Sequence, residues 1–266
     1  MTINYFYSLN AWVMFSLVVM AFIVFSIVGF FLSIKLIPKT VREKHTELVS
    51  YGLATISIFT AVLLTFIAIA AWESYCKAET AVGKEAQLVA DVLRISLVMP
   101  EPLRSKIMEG GTQYLDIVIQ EEWPTMGSPI MNFKPGRDEL VSLYINVSKF
   151  RTNDSILQIQ YANLYEKVND LLDARRSRIM LAYQHFQPIL WGVILISALC
   201  NITFLFLLNM ESMRLHIAIN SLITIVIGCI FALIICLERP FQGGLAISSD
   251  DFSNVKINII EYQNKY

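Results

Sequence analysis

Four long stretches of the chain contain no Asp, Glu, Lys or Arg, and they form two pairs on either side of a polar insert. They cover residues 1–34, 49–72, 181–210 and 215–237. A helix needs about 20 apolar residues to cross about 30 Å of hydrocarbon, and each stretch is long enough. The pattern therefore predicts four membrane-spanning helices, at residues 12–34, 49–72, 188–208 and 215–237.

The insert between the second and third spans is too polar for lipid, and its pattern is helical. Residues 73–99 keep a helical period until Pro100 and Pro102 interrupt it. A line of residues spaced by four and three positions runs from Ser50 to Val82, out of span two and into the insert. This continuity predicts a single helix over about residues 49–98.

The predicted fold class is all-α: a polytopic membrane protein with four transmembrane helices and a helical extramembrane insert between spans two and three. The predicted domains are residues 1–72 with the first two spans, 73–186 with the insert, 187–237 with the last two spans, and 238–266 as a C-terminal tail. Four spans place both termini and the insert on one side of the membrane. A short basic loop at residues 35–50 is expected on the other side.

Composition and motifs argue against an enzyme. Only 16% of the residues are charged and the net charge is −1, whereas soluble domains usually have about 25% charged residues. The four cysteines, Cys76, Cys200, Cys229 and Cys236, form no CxxC pair, so neither a disulfide framework nor a metal site is predicted. No nucleotide-binding or hydrolase motif occurs. We expect no cofactor and no catalytic residue.

Span two carries a line of mostly small residues, Ser57, Ala61, Leu64 and Ala68, which we call the small-residue seam. Small residues let membrane helices pack closely, so the seam predicts a tight helix contact within one subunit. It equally fits a pore lining in which Leu64 forms an apolar constriction. Glu73 follows at the membrane end of this helix. It is either a solvated carboxylate or, repeated around an axis in several copies, part of an acidic ring that favours cations.

Two segments resemble a known family. The run TFIAIAAWESYCKAETAVGKEAQLVADVLR at 65–94 and the run LERPFQGGLAIS at 237–248 are similar to bacterial bestrophin-like domain membrane proteins. The family-like residues are Trp72, Glu73, Glu85, Glu238, Arg239, Pro240, Phe241 and Gly243. The family name implies likeness to bestrophins, which are oligomeric anion channels with a cytoplasmic helical domain. By this analogy the insert and both termini are cytoplasmic.

The predicted function is a homo-oligomeric ion channel, tetrameric or pentameric, in the bacterial inner membrane. Its gate responds to the insert, and its partners are the lipid membrane and other copies of itself.

One alternative is the transmembrane effector of a phage-defence system. In that case Arg175, Arg176 and Arg178 contact the phosphates of a cytosolic nucleotide or oligonucleotide, and the enzyme that makes this ligand is a further partner. The same three residues fit simple juxtamembrane anchors. A second alternative is a non-conducting membrane scaffold that binds a partner through the insert.

Overall fold

A computed structural model describes residues 9–127, 131–209 and 212–265, with side chains described as far as residue 261. This part of the chain contains helices and no strand. In order they are α1 (Ala11–Leu36), α2 (Lys39–Ser96), α3 (Leu103–Ile117), a π-helix (Val118–Glu122), a 3-10 turn (Trp123–Thr125), α4 (Lys134–Ser148), α5 (Ser155–Tyr183), α6 (Pro188–Leu207), α7 (Met213–Glu238) and α8 (Asp250–Lys265). Helices α1, α2, α6 and α7 are long and apolar enough to cross a membrane. The predicted all-α fold with four spanning helices is confirmed.

Polar side chains mark the starts of several helices. The Asn10 side chain accepts a hydrogen bond from the Trp12 backbone N–H at 2.9 Å, and Asp154 accepts from Ile156 at 2.8 Å. Ser212 caps α7 by the same means. Such caps satisfy backbone donors that have no partner inside the helix. Pro188 lies in the first turn of α6, where proline needs no N–H partner.

Helix α2 is one uninterrupted helix of 58 residues, about 87 Å long at 1.5 Å per residue. It begins ten residues before the predicted start. The prediction of a basic loop over residues 35–50 was wrong, because only Ile37 and Pro38 separate α1 from α2. The Pro38 carbonyl accepts hydrogen bonds from Val41 and Arg42 and opens the first turn of the helix.

Helix α3 continues without interruption through Gly110 and Gly111. A Cβ atom on Gly111 would lie 2.5 Å from the Leu93 Cδ2 atom of α2. Glycine is therefore used here for close helix packing, and the surrounding contacts offset its low helix propensity.

The chain divides into two compact units. The membrane unit contains the chain up to Tyr75, together with His185–Arg239 and Gly243–Leu245. The extramembrane unit contains Cys76–Gln184, Pro240–Gln242 and the chain from Ala246 onward. Each unit has its own cluster of buried apolar side chains.

Within the membrane unit, polar side chains pair across helices. Thr60 of α2 and Ser197 of α6 share a hydrogen bond of 2.7 Å. Thr224 of α7 donates to Ser26 of α1 at 3.1 Å. Such bonds satisfy polar groups that would otherwise be buried without a partner in the bundle. They hold α2 against α6 and α1 against α7.

Close packing of α1 on α7 depends on Gly228, because a Cβ atom there would lie 3.3 Å from the Val19 Cα atom. We expect Gly228→Val to lower the free energy of unfolding by about 1–3 kcal/mol, the usual cost of overpacking. Thermal denaturation in detergent measures this. Gly192→Ala is the control, because no atom lies within 4 Å of its Cβ position. Equal melting temperatures for the two variants would contradict the packing role of Gly228.

Candidate functional site

The small-residue seam of α2 faces the helices of its own chain at Leu64. That side chain is 2% exposed and belongs to the apolar core of the membrane unit, which also contains Ala198 and Ile202 of α6. Ser57, two turns before Leu64 on the same side, accepts a hydrogen bond from the Asn201 side chain at 3.1 Å. The arrangement favours packing over pore lining for Leu64.

The other residues of the predicted set differ in exposure. Ala68 is half-buried, and Ala61 and Glu73 are exposed. The Glu73 carboxylate forms no ion pair with any residue that the structure describes. The structure therefore does not bring Leu64 and Glu73 to one surface, although both lie on α2.

The opposite side of α2 carries a second line of residues, Thr55, Val62, Phe66, Ile69 and Glu73, which we call the outward face. Successive members are three, four or seven positions apart, so they share one side of a helix. All five are exposed in the chain, Phe66 by 67%.

The α2 span is the least buried of the four. In an apolar 18-residue segment of α2 only 11% of the residues are buried, compared with 22%, 33% and 44% in the corresponding segments of α1, α6 and α7. The exposed residues Leu222, Val226 and Leu233 of α7 are apolar, whereas the outward face also contains Thr55 and Glu73. Sequence reasoning missed this face because both sides of span two are apolar.

The turn after the fourth span has two parts, one in each unit. In the membrane unit, a Glu238 carboxylate oxygen accepts hydrogen bonds from the Trp191 indole N–H at 3.0 Å and the Phe186 backbone N–H at 3.3 Å. Partial burial and the nearby charge of Arg239 lower the pKa of His185, and Glu238 opposes this shift. Gly243 has φ 83°, a conformation that favours glycine.

In the extramembrane unit, the Pro240 carbonyl accepts a hydrogen bond from the Ile247 N–H at 2.8 Å. The Phe241 ring is buried in that unit's core and packs edge-on against Trp123, with 6.0 Å between the ring centroids. Both residues close the turn that leads to α8.

Five buried polar residues form a network in the extramembrane unit, which we call the buried charge cluster: Glu85, Tyr114, Glu122, Arg175 and Arg178. Arg178 donates to both Glu85 oxygens, at 2.7 and 3.0 Å, and to Glu122 at 3.0 Å. Arg175 donates to both Glu122 oxygens, at 2.9 and 2.6 Å, and to the Tyr114 hydroxyl at 3.1 Å. The Tyr114 hydroxyl donates to Glu85.

The buried charge cluster joins α2, α3, the π-helix and α5, and its two arginines balance its two glutamates. Burial and the charge of Glu85 raise the pKa of Tyr114. Burial alone would lower the pKa of Arg178, but the charge of Glu85 and its hydrogen bonds raise it. Tyr114 therefore stays a neutral donor and Arg178 stays a cation.

Gly136 in the first turn of α4 leaves room for the buried charge cluster. A Cβ atom there would collide with a Glu122 oxygen and lie 2.9 Å from Arg175. The Phe133 carbonyl, at the N-terminal cap of α4, accepts a further hydrogen bond from Arg175 at 2.8 Å. The start of α4 is thereby fixed against the buried charges.

The three arginines predicted as phosphate contacts do not share a surface. Arg178 is fully buried and Arg175 nearly so, both in ion pairs, whereas Arg176 is 78% exposed beside Asp173 at 3.8 Å. Because Arg175 and Arg178 are buried in ion pairs, the three arginines do not form a common surface for the phosphates of a nucleotide. Glu122 and Tyr114 were not predicted, since nothing local in the sequence distinguishes them from surface residues.

Comparison with known proteins gives one family and one fold. The sequence model of the Bestrophin-like domain family matches residues 20–252. Two crystal structures of single-residue variants of a bacterial Bestrophin homologue from Klebsiella pneumoniae are similar to this chain, both at 14% identity. One has a TM-score of 0.69 and the alignment covers 93% of this chain and 98% of that one. The other has a TM-score of 0.71, covering 91% and 96%. No curated protein matches the chain.

The buried charge cluster predicts a sharp contrast between neighbouring arginines. Arg178→Met leaves Glu85 and Glu122 buried without their shared cation, so we expect a loss of about 3–5 kcal/mol in the free energy of unfolding. Arg176→Met, the matched control on the solvent side of α5, should leave stability unchanged. Denaturant unfolding followed by circular dichroism compares them. Similar midpoints for Arg178→Met and the unsubstituted protein would show that the cluster does not stabilise the unit.

Proposed function

This chain belongs to the Bestrophin-like domain family, and on that premise we propose that it forms a homo-oligomeric ion channel in the bacterial inner membrane. The observation that carries the proposal is the outward face of α2. The face is exposed in the single chain, and it combines apolar residues with Thr55 and Glu73. An ionised carboxylate is costly against lipid and normally faces protein or water. Several copies arranged with this face toward a common axis would give Glu73 an aqueous environment.

The apolar middle of the outward face is the proposed constriction. Val62, Phe66 and Ile69 occupy about two turns, or roughly 10 Å, of α2. Rings of such side chains can close a pore by excluding water. We place the constriction here, in preference to the predicted Leu64, because Leu64 packs inside its own bundle.

We propose that the gate is controlled through the extramembrane unit. Helix α2 carries both the proposed constriction and Glu85, whose carboxylate is held by Arg178. A rearrangement of the buried charge cluster would therefore act on the helix that lines the pore. We propose further that the channel is a ring of four or five copies and that the insert is cytoplasmic.

The experiment is current recording from the purified oligomer in planar bilayers. We expect unitary currents that Val62→Ser enlarges or holds open, because a hydroxyl in the constriction favours wetting. Val226→Ser is the matched control, since Val226 is also an exposed valine, on α7. Equal effects of the two substitutions would place the pore elsewhere, and silence from folded oligomers of both would overturn the channel.

Glu73 supplies a second prediction, because a ring of carboxylates at the pore mouth attracts cations. Under a KCl gradient, Glu73→Gln should move the reversal potential toward the chloride equilibrium potential. The matched control is Glu79→Gln, an exposed glutamate on another side of α2. A reversal potential that is the same in both variants would remove Glu73 from the ion path.

A further inference from the structure

Beyond Glu73, the same side of α2 continues with Lys77, Thr80, Lys84 and Gln87. These positions follow Glu73 at intervals of four, three, four and three residues, so they keep its angular position on the helix. All four are exposed. Their neighbours Val82, Glu85 and Ala86 are buried in the core of the extramembrane unit. The line of residues that begins as the outward face therefore becomes basic in the extramembrane part of α2.

Neither lysine is neutralised within the described part of the chain. Lys77 and Lys84 form no ion pair there, whereas Arg94, farther along α2, is paired with Asp91 at 2.5 Å. Lys256 of the same unit, which is half-buried, is paired with Asp116.

Two carboxylates lie near the lysines and compensate them only in part. Glu73 is one turn before Lys77, a spacing that permits attraction. Asp251 lies beside Gly83, with its Oδ2 atom 3.5 Å from the Cβ position of that glycine, yet it forms no ion pair with Lys84. On α2 itself, the residues three and four positions from Lys84 are Thr80, Ala81, Gln87 and Leu88, none of them acidic. Lys84 therefore remains exposed and without an ion pair among the described residues.

One exposed lysine is ordinary, but repetition around an axis changes its effect. Equal charges in a ring add their fields within the enclosed water, over a Debye length of about 10 Å at 0.1 M salt. We propose that Lys77 and Lys84 form two basic rings that draw anions to the extramembrane mouth of the pore. This inference rests on the proposed channel. It assigns anions as the ions that the extramembrane mouth concentrates. The two lysine rings are opposite in sign to the Glu73 ring.

The test compares Lys84→Gln with Lys106→Gln in bilayers under a KCl gradient. Lys106 is the matched control, an exposed lysine on α3 without an ion pair among the described residues. We expect Lys84→Gln to lower the chloride-to-potassium permeability ratio by about two- to fivefold at about 10 mM salt, where charges act over about 30 Å. At about 1 M salt the ratio should change by less than about 1.5-fold, because screening confines charges to about 3 Å.

The double variant Lys77→Gln with Lys84→Gln should deepen the effect at low salt. Currents with the same permeability ratio in Lys84→Gln, the double variant and Lys106→Gln would overturn the inference and leave the channel standing. A change that persists at about 1 M salt would also overturn it, since a long-range field cannot act there. Absence of current from every folded oligomer would overturn the channel and the basic rings together.

Discussion

The ion pair between Glu85 and Arg178 joins two helices across 93 residues of sequence. Both side chains are fully buried, so each would be very costly alone, and each is tolerated because the other neutralises it. Glu122, Arg175 and Tyr114 complete the hydrogen bonding, which leaves every guanidinium and carboxylate of the cluster engaged. The charges at the centre of the extramembrane unit therefore cancel in total. Their side chains are held in one arrangement, because bidentate hydrogen bonds allow little displacement.

This centre bears on the proposed gating because Glu85 lies on α2. One side of that helix packs inside the chain, at Leu64 in the membrane unit and at Val82 in the extramembrane unit. The other side stays exposed over the same length. A single long helix can therefore be fixed on one side by its own subunit and offer the other side to copies of the chain. The proposed pore and the proposed basic rings both use that free side.

The exposed side of α2 changes in character along its length. The outward face is apolar between Thr55 and Glu73, and beyond it the same side of the helix carries Lys77 and Lys84. An apolar segment sets a barrier to water and ions, whereas charged rings act at a distance and decide which ions collect at the mouth. The barrier and the ion preference are thus assigned to different residues of one helix.

The sequence by itself determined the four spans, the helical insert and the continuity of α2, because these follow from local apolar length and helical period. It also marked Glu85 and Glu238 through resemblance. It could not separate the two sides of span two, since a side chain that faces lipid and one that faces a neighbouring helix are equally apolar. Nor could it show that Arg175 and Arg178 are buried while Arg176 is exposed. Only the tertiary structure decided this, because it brings Glu85, Tyr114 and Glu122 from distant parts of the chain to the two arginines on one side of α5.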